Sequence, residues 1–347
     1  MEHEPTENSI NAEIAWVTYI NPFTIIRKDS EPDFGLSLDD INSNSYNHGK
    51  LCEIVAAVPW SEIDPLNVLV CFDGALAIPR RKNVGGADGA LAHFNRVLCS
   101  LLLGGIICEA VDRRDIVWGR LHEKCQLWPV EAGESLNSSR HCHLRQKSAS
   151  NFDRILLSSP KNVDVSTFRA ALAQGARVLE LLDTLSPTFF LTGFTELRYH
   201  NFANALGNLW ICAEQLTESI WKKSVCEPAK SSEVRAKSRM ESLKNTGNWS
   251  TGMRQELLFQ IGVLDHSVYS ILIPARKARN ELVHYGLPPS PSVVGDLFDG
   301  ILAMIETITD IDSLGIRQIG HRSSDHSEFI GTEFFEGWKI VSDRLRS

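Results

Sequence analysis

The feature that most constrains this chain is a change in hydrophobic pattern near its middle. The first half alternates short apolar or β-branched segments with polar turns, for example IAWVTYI and NVLVCFDGALAIP, and this pattern predicts strands. The second half carries apolar residues at helical spacing. A stretch rich in Ser, Asn and Lys, RQKSASNFDRILLSSPKNVD, separates them. We therefore predict two domains, an N-terminal α/β (α+β) domain over residues 1–150 and a C-terminal all-α helical bundle over 164–312.

Local signals predict individual elements in both halves. In the first half we expect a helix capped by Asp88 and ended by two glycines, followed by strands at IICEAV and DIVWGRL. In the second half we expect one long helix over 194–223. A later helix ends at Gly286, and Pro274 either kinks it or starts a second helix there. Residues 313–347 form a polar tail, for which the final segment EFFEGWKIVSDRLRS predicts a terminal helix.

Composition limits the classes of function. The 347 residues include 35 basic and 43 acidic side chains, and the net charge of −8 argues against a protein that coats nucleic acid with its whole surface. Eight cysteines, several of them in apolar runs, indicate free thiols in a reducing compartment. The start MEHEPTENSI does not resemble a signal peptide, and the apolar run 97–108 is too short to cross a bilayer. We expect a cytoplasmic protein with no membrane partner.

One short stretch stands out for its chemistry. Residues 276–286 read RKARNELVHYG. On a helix, Asn280 and His284 share a face, and the long side chain of Arg279 reaches that face from the edge of the apolar stripe. An Arg, an amide and an imidazole converging on one patch predict a site that handles phosphate.

This set of side chains suits cleavage of RNA without a metal or other cofactor. RNA carries its own nucleophile, the 2′-hydroxyl, so the protein must move protons and stabilise negative charge on phosphorus. The His284 imidazole can act as acid or base. Arg279 presents a permanently charged fork to phosphate oxygens, and Asn280 can orient the His or the phosphate. We predict these three residues as catalytic.

The motif Arg279–Asn280–x3–His284 on a late helix of a helical bundle resembles the R-x4–6-H signature of the HEPN superfamily of ribonucleases. The helix containing LWICAEQL resembles the first long helix of these bundles, and Glu214 matches the acidic residue that often faces the site. The resemblance covers roughly 194–311. It implies a HEPN-like bundle, an endoribonuclease that acts as a toxin or antiphage defence effector, and a homodimer whose two motifs share one cleft.

The resemblance also implies partners, and one departure limits them. Such effectors act on RNA and are often paired with an antitoxin or a sensor protein. In the toxin branch paired with nucleotidyltransferase antitoxins, a Tyr stands two positions after the His. Here Tyr285 stands one position after it, and Gly286 occupies the place of that Tyr. Tyr285 is therefore predicted to support the site, and control through modification of a Tyr at that place is not expected.

Basic side chains near the motif are candidates for RNA binding. Segment 222–244 holds seven Lys or Arg against three Glu, a local charge of +4 (7 − 3) in an acidic chain. The predicted RNA-binding residues are Arg235, Lys237 and Arg239 of this segment, with Arg276 and Lys277 beside the motif. A solvated helix face with ion pairs explains the segment equally well.

Alternative interpretations of these motifs stay open. Glu281 lies four residues after Lys277, so the motif helix can be an ordinary surface helix with an ion pair. In that case the bundle is a non-catalytic module for dimerisation and for binding RNA or a partner. A zinc site is a weaker alternative, since no CxxC pair anchors the His and Cys residues near 122–143. Its candidate ligands are His122, Cys125, His141, Cys142 and His143.

Overall fold

The computed structural model describes residues 13–59, 67–81, 84–122, 124–230 and 236–318. Over these residues an N-terminal region built on a curled antiparallel sheet is followed by a C-terminal region of helices. We call residues 13–164 the sheet region and residues 165–318 the helical region.

The strands and helices alternate in the sheet region. Its strands are β1 Ile14–Tyr19, β2 Thr24–Arg27, β3 Ile54–Pro59, β4 Asn67–Cys71, β5 Ala75–Pro79, β6 Val117–His122, β7 Gln126–Pro129 and β8 Lys161–Asp164. Its helices are α1 Leu38–Asn42, α2 His48–Leu51, α3 Gly86–Leu103, α4 Leu136–Arg145 and α5 Asn151–Arg154, with 3-10 turns at Arg113–Asp115 and Ile155–Leu157.

The helical region contains helices throughout. They are α6 Val165–Leu181, α7 Pro187–Arg198, α8 Phe202–Trp221, α9 Glu227–Lys230, α10 Ala236–Lys244, α11 Thr251–Gln260, α12 His266–Tyr285 and α13 Pro291–Thr309, with a π turn at Lys222–Cys226 and a 3-10 turn at Gly315–Gln318.

The main sheet curls until its two edges meet. Its strand order is β3-β4-β5-β1-β6-β7, with every pair antiparallel. The amide of Leu127 donates to the carbonyl of Cys52, and the amide of Ile54 donates to the carbonyl of Cys125, both at 2.9 Å. These bonds join β7 to the start of β3 and bring the two edges of the sheet together there.

Alternation along the strands divides the side chains between two cores. In β1, Val17 and Tyr19 belong to a small core inside the curled sheet, whereas Trp16 packs on the outer side with the helices. Successive side chains of a strand lie on opposite faces of the sheet, so β1 contributes residues to both cores.

Two close backbone approaches lock the sheet region to the helical region. A side chain at Gly104, just after α3, would bring its Cβ within 2.0 Å of the Ala171 carbonyl oxygen in α6. A side chain at Gly175 in α6 would come within 1.8 Å of the Ser100 carbonyl oxygen in α3. Because only glycine fits at both positions, α3 and α6 pack nearly backbone to backbone.

One continuous buried core therefore runs from the outer face of the sheet through α3 into the helical region, from Trp16 to Ile316. The predicted coarse division into a mixed first half and a helical second half is confirmed. The domain limits at 150, 164 and 312 stay predictions, and the predicted terminal helix lies outside the described residues.

Two predicted elements are wrong. The helix expected over 194–223 is two helices, because the chain turns at His200, which has a left-handed φ of 59°. The turn lets α7 and α8 pack against each other. The strand expected at IICEAV forms no ladder. Its end is held instead by Asn95, whose side chain bonds both the amide and the carbonyl of Val111 at 3.0 Å.

Two further local predictions need correction. Helix α3 begins after Gly85, which has a φ of 79°, so Asp88 lies in the first turn and is not the cap. Helix α12 continues through Pro274 without starting a second helix. It ends as predicted at Gly286, whose φ is 68°.

Candidate functional site

Helix α12 presents the predicted motif on its outer side. The Asp265 side chain caps the helix by accepting from the Ser267 amide. Val268, Leu272 and Ala275 form the buried stripe that fixes the rotation of the helix against the rest of the region. Its remaining sides lie toward solvent, and the motif residues lie on them.

The structure brings two of the three predicted catalytic residues together. Arg279 is half-buried, and its Nη1 donates to Oδ1 of the exposed Asn280 at 3.2 Å. His284 is exposed and makes no hydrogen bond to any described residue. Its nearest aromatic neighbour is Tyr285, with ring centroids 6.3 Å apart. Among the described residues of one chain, no group therefore orients the imidazole.

An open groove of about 680 Å³ lies beside Arg279 and Asn280. We call it the wide groove. It runs between α8, the start of α11 and α12, and its volume falls within the range of about 300–1,000 Å³ usual for small-molecule sites. Its lining residues are Trp210, Glu214, Trp249, Ser250, Thr251, Gly252, Met253, Glu256, Leu257, Gln260, Arg276, Arg279 and Asn280. Glu214, predicted as a supporting residue, thus shares a groove with Arg279 and Asn280.

A second groove of about 370 Å³ adjoins the first on the far side of α12. We call it the side groove. Its lining residues are Ile273, Arg276, Lys277, Asn280, Glu281, His284 and Tyr285. Because Arg276 and Asn280 line both grooves, the two form one continuous concave surface that includes every predicted residue of α12.

The cations of this surface differ in their pairing. Lys277 lies 3.8 Å from Glu281, which is the ion pair expected of an ordinary helix face. Arg276 and Arg279 make no ion pair with a described carboxylate. A Cβ added at Gly252 would lie 2.0 Å from Nη1 of Arg276, so the guanidinium lies against the first turn of α11. Two arginines are therefore available to an anion in the groove.

The remaining predicted RNA-binding residues lie elsewhere. Lys237 and Arg239 are on α10, and neither is among the described residues that line the two grooves. Arg235 lies outside the described residues. The structure therefore joins Arg276 and Lys277 to the motif but does not join the basic segment to it.

Several groove residues were not predicted from the sequence. Trp249 and Met253 come from the 245–253 stretch, which only folding brings to the motif. Trp210 could have been predicted from the sequence, because it lies one helical turn before Glu214. Its Nε1 donates to Oε1 of that carboxylate at 2.8 Å.

A second cluster of charged residues lies buried in the sheet region. Arg145 Nε and Nη2 donate to the two Asp73 carboxylate oxygens at 2.8 and 2.6 Å, and His141 Nδ1 lies 3.0 Å from the same carboxylate. The His141 ring stacks between Tyr19 and Phe23, with centroids 4.1 and 4.8 Å away. We call Asp73, His141 and Arg145 the buried cluster.

The electrostatics of the buried cluster keep Asp73 charged. Burial raises the pKa of the Asp73 carboxyl, but the Arg145 charge and the hydrogen bonds from Arg145 and His141 outweigh it and hold that pKa well below its usual range. Burial lowers the pKa of His141. In the described residues, no group of three or more His, Cys, Asp or Glu side chains is placed to hold a metal ion. His141, a candidate zinc ligand, instead bonds Asp73.

Comparison of the chain with protein-family models, with curated proteins and with solved structures finds no match. Within the described part of the chain, no helix has both the length and the hydropathy of a membrane span.

Proposed function

We propose that the chain is a metal-independent endoribonuclease of HEPN type, with the helical region as its HEPN-like catalytic bundle. The observation that carries this proposal is the position of Arg279, Asn280 and His284 on the open side of α12, along two adjoining grooves. Two arginines without carboxylate partners and an imidazole exposed to solvent form a surface suited to a polyanion.

The chemistry follows from what RNA supplies. The 2′-oxygen attacks the adjacent phosphorus while a base removes its proton, and the 5′-oxygen leaves while an acid protonates it. The products are a 2′,3′-cyclic phosphate and a 5′-hydroxyl. His284 serves in proton transfer, and Arg279 stabilises the charge that develops on the phosphate oxygens. Asn280, which accepts from Arg279, holds that guanidinium in place.

A homodimer completes the site. One chain places one motif imidazole at the grooves, whereas in-line cleavage benefits from an acid and a base on opposite sides of the phosphate. A two-fold axis near His284 supplies the partner's His284 as the second group. Exposed apolar side chains flank the motif, including Ile273, Val283 and Leu287, and they form the contact between the two copies.

The biological class proposed for this activity is a toxin or antiphage defence effector. An antitoxin or sensor protein is its proposed partner. The sheet region is the proposed regulatory or recognition part, because none of its described residues lines either groove. Arg276 and Lys277 are proposed to hold RNA phosphates, and Glu214 and Tyr285 to support the site.

A second candidate function is a non-catalytic dimerisation and RNA- or partner-binding module. The ion pair between Lys277 and Glu281 favours it, since such a pair is typical of a solvated helix face. No described residue of the same chain orients His284, and this also favours the second candidate. The two candidates differ in whether RNA is cut, and binding of RNA alone does not distinguish them.

Cleavage of RNA by the purified full chain in EDTA tests the proposal. We expect cyclic-phosphate and 5′-hydroxyl ends, and unchanged rates on addition of the chelator. Loss of cleavage in EDTA that a divalent metal restores would contradict the mechanism. Binding of RNA without any cleavage would favour the second candidate.

A further inference from the structure

The wide groove contains groups that the binding of a phosphate alone does not require. Alongside Arg276 and Arg279 it contains the Glu214 carboxylate and an apolar side formed by Trp249, Met253 and Leu257. A carboxylate repels phosphate, and an apolar wall does not bind it. A nucleotide matches the mixture, with its phosphate at the arginines and its base against the other walls.

The Glu214 carboxylate is held in a fixed position but keeps accepting capacity. Trp210 is buried, and its indole Nε1 donates to Glu214 Oε1 at 2.8 Å. A carboxylate has about four acceptor positions on its two oxygens. Glu214 forms no ion pair with a described cation, so the positions left over by Trp210 remain open to donors in the groove.

The apolar side of the groove can stack a base. Trp249 is half-buried, and its ring lies 5.1 Å from that of Trp221, which is fully buried. The Trp221 Nε1 donates to the Leu243 carbonyl at 3.1 Å, which fixes the supporting ring. Aromatic faces held in this way are the usual platforms for unpaired bases in proteins that bind single-stranded RNA.

A fixed carboxylate discriminates among bases by their hydrogen-bond donors. The Watson–Crick edge of guanine presents two adjacent N–H donors, at N1 and at the 2-amino group, and both can bond one carboxylate. Cytosine, adenine and uracil each present a single donor on that edge, next to an acceptor that repels a carboxylate. A carboxylate in this position therefore selects guanine.

We propose that the wide groove binds a guanine base beside the scissile phosphate, with Glu214 accepting from N1 and the 2-amino group. The chain then cuts single-stranded RNA next to guanosine. This inference rests on the proposed ribonuclease function for its cleavage part. The binding of the base stands on the groove alone.

Titration of the full chain with GMP and with AMP, followed by tryptophan fluorescence, tests the binding. We expect GMP to bind tighter than AMP by a factor on the order of ten, the discrimination of one bidentate contact. Glu214→Gln presents a donor and an acceptor, which match adenine, so it should reverse the preference. Glu256→Gln is the matched control and should keep it, because Glu256 lines the same groove but is bonded by Tyr269 and Gln260.

Mapping of cleavage ends on a pool of random single-stranded RNA separates this inference from the proposed function. Cleavage beside guanosine that shifts toward adenosine in Glu214→Gln supports both. Cleavage with no preference for guanosine, together with equal binding of GMP and AMP, overturns the inference and leaves the ribonuclease function standing. Tighter binding of GMP that depends on Glu214, without any cleavage, overturns the function and leaves the base site.

Discussion

The buried cluster and the motif of α12 use similar side chains in opposite surroundings. In the sheet region, His141 and Arg145 lie one turn apart on α4 and bond the carboxylate of Asp73. In the helical region, Arg279 and His284 lie on α12 beside the amide of Asn280. The first set is enclosed by the core, whereas the second lines two open grooves.

The difference shows that burial and pairing decide the role of an Arg and a His. Arg145 is fully buried and donates from all three of its nitrogens, to the Asp73 carboxylate and to the Leu127 carbonyl, so a phosphate cannot reach it. Arg279 forms no ion pair with a described carboxylate and donates only to Asn280 among the described residues, so most of its N–H donors remain available to a phosphate in the groove. We therefore propose a structural role for the buried cluster and a functional role for the motif, and these two roles predict opposite responses to mutation.

The largest expected effect is on stability in the sheet region. Arg145→Met leaves the Asp73 carboxylate buried without its main partner, which typically costs about 3–5 kcal/mol of unfolding free energy. Urea denaturation measures the loss. The matched control is Arg140→Met on the same helix, where the pair with Asp153 at 3.0 Å is partly exposed and the expected cost is about 0–1 kcal/mol. Equal losses of unfolding free energy in the two variants would contradict the claim that burial distinguishes these two ion pairs.

The next effect is on activity in the helical region. Arg279→Ala removes the guanidinium that stabilises the phosphate charge, so cleavage should fall by about 100-fold or more. Unfolding free energy should change by about 0.5 kcal/mol or less, as is usual for surface substitutions. Asn280→Ala should reduce cleavage less, because it only holds Arg279. A rate measured on a labelled RNA, with a denaturation curve for each variant, separates the two quantities.

The dimer gives a third test. Val283→Glu places a charge among the exposed apolar side chains near the motif, so it should convert a dimer into a monomer and lower cleavage with it. Light scattering at micromolar concentration measures the mass. Leu136→Glu is the control, since Leu136 is equally exposed but lies on α4, in the sheet region. A wild-type monomer that cuts RNA at full rate would contradict the shared site.

A smaller effect is expected on the pH dependence of stability. Burial lowers the pKa of His141, so the unfolded chain binds a proton at this residue at higher pH than the folded chain does. The stability that neutral His141 contributes to the fold is fully present above the pKa of the unfolded chain, about 6.5. It is lost as the pH falls below that value. His141→Gln should therefore flatten the decline in melting temperature between about pH 7 and pH 5. An unchanged decline would show that other groups cause it.

The smallest expected effect is at Lys277. Its pair with Glu281 is exposed, so Lys277→Ala should change unfolding free energy by about 0.5 kcal/mol or less. RNA binding should weaken modestly, and the slope of log affinity against log salt should shrink by about one. A slope identical to that of the wild type would remove Lys277 from the RNA-binding residues.

Sequence patterns predicted the elements whose signals are local. The strand at β1 and the helix end at Gly286 were both predicted from the sequence and are confirmed. The turn at His200 was not visible, because the apolar residues keep helical spacing across it and only the packing of α7 on α8 requires the break. The closing of the sheet was not visible either, since it joins strands far apart in the chain.

For the candidate site, too, the residues that were predicted differ from those that were missed in how far apart they lie along the sequence. The residues of α12 were predicted as site residues because they lie close together in sequence and share one helix. Trp249 and Met253 were missed, because the stretch that carries them reaches the motif only through the fold. His141 was considered as a zinc ligand, because a sequence does not show that Asp73, from a distant hairpin, lies against it.

Cleavage of a labelled single-stranded RNA by the His284→Ala variant is the most direct test of the proposed ribonuclease site. The control is His266→Ala, an exposed His at the start of the same helix. We expect His284→Ala to lower the rate by about 100-fold or more while its melting temperature and dimer mass stay at the wild-type values. His266→Ala should cut at the wild-type rate. A folded, dimeric His284→Ala variant that cuts RNA at the wild-type rate would contradict the proposed role of His284 in cleavage.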